Sequence, residues 1–348
     1  MKKFQIAEIA GEKAHAGAKA TEDVIQIASK MGFQPVYVRM KDTKEGTVHK
    51  LNRQIQFYKD WQDAYKQISD HSIVLLQHPF HYPQLTREKI LLKLKNEKHV
   101  KYISVVHDVE QLRNLGKTEY HQHEFEFMLK IADVLIVHNQ VMFDFFVSKG
   151  MDPDKLVILG IFDYLLDNQK DNLPTFEKSI TIAGNLDAKK SEYLSHLKDV
   201  NCHFNLYGPN YCREEAENIE YGGVLASDKI PDVLNRGFGL IWDGDSIETC
   251  EGGFGNYLRY NNPHKLSLYL ASGLPVFIWS QAAEASFVEE NQVGVLIDSL
   301  YDLPKKLMTI DGEKYRKYSE NVRSISEKLT SGLYMQRAIA ISVRRLGS

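Results

Sequence analysis

The sequence predicts an α/β protein of two doubly wound domains facing a central cleft. Three observations lead there. A chain of 348 residues exceeds the size at which one hydrophobic core usually keeps growing. Short apolar runs alternate with helix-like segments in two successive series, and one polar stretch separates the series.

In the first series the apolar runs cover residues 4–9, 35–40, 72–77, 102–107, 134–137 and 156–159. Most are rich in Val and Ile on consecutive positions, as strands buried on both faces of a parallel sheet require. Between the first two, TEDVIQIASKM carries Val24, Ile25, Ala28 and Met31 at helical spacing, with Thr21 as N-cap and Gly32 as the stop. Residues 166–178, LDNQKDNLPTFEK, break the alternation and read as the linker. The expected division is therefore residues 1–165, a linker at 166–178 and a second domain at 179–348. The second series has SITIAGNL, NCHFNLYGP, FGLIWDG, LPVFIW and VGVLID as strands, followed by an amphipathic tail over residues 313–346.

Composition narrows the classes. The hydrophobic fraction of 43% and charged fraction of 26% are those of a globular chain, and a net charge of −3 gives no broad basic footprint for nucleic acid. Cys202, Cys212 and Cys250 form no CxxC pair, which points to buried, reduced thiols rather than a zinc site or disulfide framework. The N-terminal apolar run is broken by Glu8, unlike a signal peptide, and no stretch approaches the roughly 20 apolar residues of a membrane span. The expected location is the cytoplasm, with at most peripheral attachment to a membrane.

Open parallel sheets bind ligands beyond the carboxyl ends of their strands. Five such places carry unusual residues. AGEKAHAGAKATED follows the first strand and sets Lys13, His15 and Lys19 among Gly11 and Gly17, where backbone N–H groups can approach a phosphate. His107 and Asp108 end the fourth strand, placed to take a proton from an acceptor hydroxyl. Gly184, Asn185 and the Lys189-Lys190 pair open the second domain, where a fixed cation would stabilise a departing anion. The stretch from Asp243 to Asn262 holds Asp243, Asp245, Glu248 and Glu251, together with Gly252, Gly253 and Gly255 as sources of mobility. Asp243-Gly244-Asp245 resembles a metal-binding DxD but lacks that motif's fold context, so a metal is discounted. In NPHKLSLYLASG, Asn262 fits an N-cap, Pro263 the first helical position and Gly273 the stop. His264 and Lys265 then stand at the positive end of a helix, an unfavourable place for a cation unless an anion sits there.

YNNPHKLSLYLASGLPVFIW, with FGLIWDG before it, HD after an N-terminal strand and GNL at the start of the second half, resembles bacterial galactofuranosyltransferases. It is also similar to the glucosyltransferases that extend N-acetylglucosamine on serine-rich-repeat adhesins. The resemblance implies a GT-B fold of two Rossmann-like domains, with the acceptor on the first domain and a UDP-sugar on the second. It further implies metal-independent hexose transfer without a cofactor, and a homo-oligomer. Carried onto this sequence, the donor site takes in Lys190, Tyr207 for uracil or ribose, and Asn262, Pro263, His264, Lys265, Leu266 and Ser267 at the phosphates. Ala16 and Gly17 close on the nucleotide, and Asp108 is the candidate base. Donors of the galactofuranose and glucose type both fit, as do retention and inversion at the anomeric carbon. The acceptor is a glycan or glycopeptide. Two other classes remain at this point: a nucleotide-sugar sensor and a UDP-sugar epimerase.

Overall fold

The computed structural model describes residues 1–10, 16–40, 44, 46–80, 82–113, 119–166, 173–212 and 216–347. Contacts divide the chain into two compact units. The first comprises Met1–Gln111, Gly116–Leu159 and Met335–Ser348, and the second comprises Leu112–Leu115 and Gly160–Tyr334.

The first unit is built on β1 (Lys3–Ala10), β2 (Gln34–Met40), β3 (Ile73–His78), β4 (Lys101–Val106), β5 (Val134–Val137) and β6 (Leu156–Ile158). These six pair in the order β2-β1-β3-β4-β5-β6, every pair parallel. The Val- and Ile-rich runs form them because helices cover both faces: Val74, Leu75, Leu76, Ile103 and Val105 are at most 0% exposed. The helix after β1 spans Ala16–Lys30, so Thr21 lies inside it rather than at its N-cap. The alanine-rich turn AGAKA, of high helix propensity, extends it toward the N-terminus. One polar knot sits in this core. Arg87 forms an ion pair with Glu124, both buried, and its guanidinium stacks 4.3 Å from the Phe80 ring centroid. Beside it Trp61 donates to Gln84 at 2.6 Å.

The second unit contains β7 (Thr175–Ala183), β8 (His203–Tyr207), β9 (Ile219–Tyr221), β10 (Arg236–Ile241), β11 (Val276–Trp279) and β12 (Gly294–Ile297). Its all-parallel order is β12-β11-β10-β7-β8-β9. The direction of winding reverses between β7 and β10, the topological switch point at which open α/β sheets hold ligands. The helix His264–Ala271 is fixed to that point. Tyr269 accepts from the Ala183 N–H at 2.8 Å and donates to the Thr181 carbonyl at 3.1 Å. Its ring lies against Gly239 of β10, where any Cβ would overlap it.

One sequence expectation, that all three thiols are buried, changes here. Cys202 and Cys250 are buried, and burial pushes Cys202 up to about 12, but Cys212 is exposed. No described helix is long and apolar enough to cross a membrane.

Candidate active site

The carboxyl ends of β7 and β10 carry the chemistry of the second unit. β7 ends in Ala183 and turns at Gly184, whose positive φ of 143° suits glycine. The chain at Gly208 approaches so closely that a Cβ there would overlap the Gly184 carbonyl. β10 runs into Trp242 and Asp243. Into the space between the two ends the first turn of the helix His264–Ala271 sends the side chain of Lys265, whose Cε would lie 3.6 Å from a Cβ on Gly184.

Lys265 is held from two sides. Its Nζ donates to Asp243 Oδ1 at 2.7 Å and to the Trp242 carbonyl at 3.0 Å. Burial pushes the ammonium below the ordinary lysine range, Asp243 opposes this, and the charge of Lys190 adds to the lowering. The anion expected from the helix dipole is therefore supplied first by the chain itself. Asp243, 6% exposed, was expected as a loop acid and is instead the partner of the site lysine. Asp245 is exposed, so the two carboxylates of the DxD-like triplet have different surroundings. Among the described residues no three His, Cys, Asp or Glu are grouped to hold a metal ion.

The helix starts one residue later than the sequence suggests. Pro263, extended at φ −69° and ψ 136°, is the N-cap, and His264 is the first helical residue. Asn262 does not cap, because its amide donates to the Gly160 carbonyl at 2.8 Å. Ser267 donates likewise to the Phe162 carbonyl at 2.7 Å, and the His264 ring stacks on Phe162 at 4.5 Å. Leu266 is fully buried. Asn262 and Ser267 thus lock the helix onto residues 160–162, while Pro263 and His264 are partly exposed at its start and the Lys265 side chain is only 12% exposed.

Lys190, whose charge acts on Lys265, belongs to a cluster of cations and aromatics. Lys190 Nζ lies 5.8 Å from the Phe254 ring centroid, and the Arg113 guanidinium lies 5.4 Å from Phe254 and 5.7 Å from Tyr257. Arg113, outside the sequence expectations, carries no motif signal in VEQLRN. Gly252 and Gly255, expected to give mobility, sit in a short helix, Gly252–Tyr257, where a Cβ would overlap Asp245 at the first and Cys250 at the second. Close packing selects glycine there.

At the ends of β8 and β9 lies a tyrosine platform. Tyr207 is half-buried, its ring against Gly222, while Tyr211 and Tyr221 stack at 4.9 Å and Tyr221 donates to the Gly208 carbonyl at 2.8 Å.

The remaining expected residues belong to the first unit. Asp108 follows β4 and is half-buried, next to His107, whose Nε2 is 2.7 Å from Gln77 Oε1. His78 is buried at the end of β3 and held neutral, pushed down to about 3 by burial and by the Arg87 charge. Ala16 and Gly17 are the first residues of the helix after β1. Gly11, Lys13 and His15 lie outside the described residues.

Two all-parallel sheets of this order, the second with a lysine on a helix N-terminus at its switch point, have counterparts among known proteins. Residues 3–161 match the N-terminal domain, and residues 180–341 the C-terminal domain, of the glucosyltransferase 3-like family. The chain is 37% identical over 239 residues to the beta-1,6-galactofuranosyltransferase WbbI of Escherichia coli K12, covering 67% of this chain and 68% of that protein. It is 24% identical to Glucosyltransferase 3 of Streptococcus gordonii over 93% of each chain. In fold it is similar to Anabaena HepE in complex with UDP and glucose, with a TM-score of 0.61, 10% identity, and coverage of 99% of this chain and 100% of that one. The protein belongs to the glucosyltransferase 3-like family of glycosyltransferases.

Proposed function

We propose that the protein transfers a hexose from a UDP-sugar to a hydroxyl of a glycan or glycopeptide during cell-surface carbohydrate synthesis. The observation that carries this is Lys265, a largely buried cation at the switch point, with the charge of Lys190 acting on it. These two cations beside the Asp243 carboxylate suit a diphosphate. As the glycosidic bond to phosphate breaks, negative charge grows on the UDP oxygens, and ammonium groups already in place stabilise it without reorganisation. The tyrosine platform at Tyr207 suits a uracil ring and ribose. The first helical turn at Pro263 to Lys265 suits the diphosphate. Asp108 takes the proton of the acceptor hydroxyl. With cations in these positions no metal ion is needed, and we assign none.

Galactofuranose is the donor sugar we favour, since WbbI, named for that transfer, shares 37% identity where Glucosyltransferase 3 shares 24%. A cytoplasmic location and a homo-oligomeric state complete the proposal. The test supplies UDP-galactofuranose and UDP-glucose separately with a panel of glycan acceptors and follows products by mass and NMR. The expected result is a new glycoside from UDP-galactofuranose that forms equally well with chelator present. A glycoside from UDP-glucose alone would reassign the donor, and loss of activity with chelator that manganese restores would overturn metal independence.

A further inference from the structure

The helix Thr47–Gln67 in the first unit buries Phe57, Asp60, Trp61 and Ala64 on one side. Its opposite side is apolar as well. Val48, Leu51, Ile55 and Tyr58, spaced three, four and three residues apart, fall on successive turns of one face. They are 69%, 61%, 48% and 51% exposed. Leu85, 82% exposed, and Tyr82 extend the patch. Gln54 ties their loop to the helix, donating to the Pro83 carbonyl at 2.8 Å and accepting from the Leu85 N–H at 3.0 Å. A contiguous apolar stripe of this kind on an exposed helix marks an interaction surface.

Charge selects the partner. From Thr47 to Lys59 there is no acidic residue, and Lys50, Lys59 and Lys89 are exposed. The next acid, Asp60, is buried, its carboxylate taken by the Arg39 N–H and Gln56, each at 2.8 Å. Asp63 pairs with Lys66 at 3.3 Å. A second copy docked two-fold on this face would bring lysines against lysines, because such an interface presents the same patch from both sides. A bilayer carrying anionic lipid meets both features: its interface takes the apolar side chains and its headgroups take the lysines.

We infer that the exposed face of the helix Thr47–Gln67, with Leu85, docks this glycosyltransferase on an anionic membrane surface, the helix lying in the plane of the interface. The stripe belongs to the first unit and is independent of the donor chemistry at Lys265. The full-length protein is sedimented with phosphatidylcholine vesicles, with and without phosphatidylglycerol, at low and high salt. The protein is expected to sediment only when phosphatidylglycerol is present and to be released by salt. Both Leu51→Glu/Ile55→Glu and Lys50→Glu/Lys59→Glu should weaken that partitioning by about tenfold or more, with UDP affinity unchanged. Failure of the wild-type protein to sediment with either vesicle, or sedimentation of both variants like wild type, overturns the inference. So does a sizing experiment in which Leu51→Glu/Ile55→Glu splits an oligomer, which would give the face to a second copy.

Discussion

Replacing Lys265 by alanine lowers kcat/KM for the sugar donor by about 100- to 1000-fold and leaves the chain folded, though less stable, because the buried Asp243 loses its cation. That is the range seen when one preorganised group that stabilises developing negative charge is removed. The fold survives because the helix carrying Lys265 is held by other residues: Tyr269 through Ala183 and Thr181, Asn262 through Gly160, and Ser267 through Phe162. A larger fall in kcat than in donor affinity locates the effect in the transition state, where the charge on UDP is greatest. Initial rates over a donor series, with circular dichroism as the control for folding, measure it. Turnover equal to wild type would remove Lys265 from the reaction.

Asp243→Ala has the second large effect, on stability first. It leaves a buried ammonium without its counter-ion, a loss of about 3 kcal/mol or more, readable as a lower denaturant midpoint. Asp243→Asn keeps an acceptor for Lys265 Nζ and isolates the electrostatic part. Lys265 already titrates below the ordinary lysine value because it is buried, and Asp243 is the group that raises it. The ammonium form is the one that neutralises UDP, so the Lys265 contribution to kcat/KM is present below its pKa and is lost as pH rises through it, which makes the alkaline limb of the profile. Without the Asp243 charge that pKa falls further, and the alkaline limb of the kcat/KM profile moves to lower pH. A limb that stays in place in Asp243→Asn would reduce Asp243 to a packing role.

Much of the fold could be read from the sequence because buried parallel strands are uninterrupted Val and Ile runs, and each of the strands expected from such runs is present. The order of those strands could not, since it depends on pairing between segments far apart in the chain. Nor could the membership of Met335–Ser348 in the first unit, because an amphipathic tail shows that it packs but not on what. At the site, local pattern found the helix with Lys265 and missed what lies across from it. Asp243 precedes Lys265 by 22 residues, and nothing local distinguishes its carboxylate from that of Asp245. Asn262 looked like a cap because Asn before Pro usually is one, but Gly160, 102 residues earlier, takes its amide. Gly252 and Gly255 looked mobile because sequence shows the absence of a side chain, not the Asp245 carboxylate and the Cys250 backbone packed into its place. Arg113 had no signal, since its role comes from the rings of Phe254 and Tyr257 beneath it.

The central claim is that the cations around Lys265 and the tyrosines around Tyr207 form a uridine diphosphate site. Calorimetric titration of the purified protein with UDP, UDP-galactofuranose and UDP-glucose, with GDP and ADP as controls, tests it most directly. The account predicts binding of the uridine ligands and much weaker binding of GDP and ADP. Equal binding of all the diphosphates would contradict the tyrosine platform as a uracil site, and no binding of any nucleotide would contradict the donor site itself.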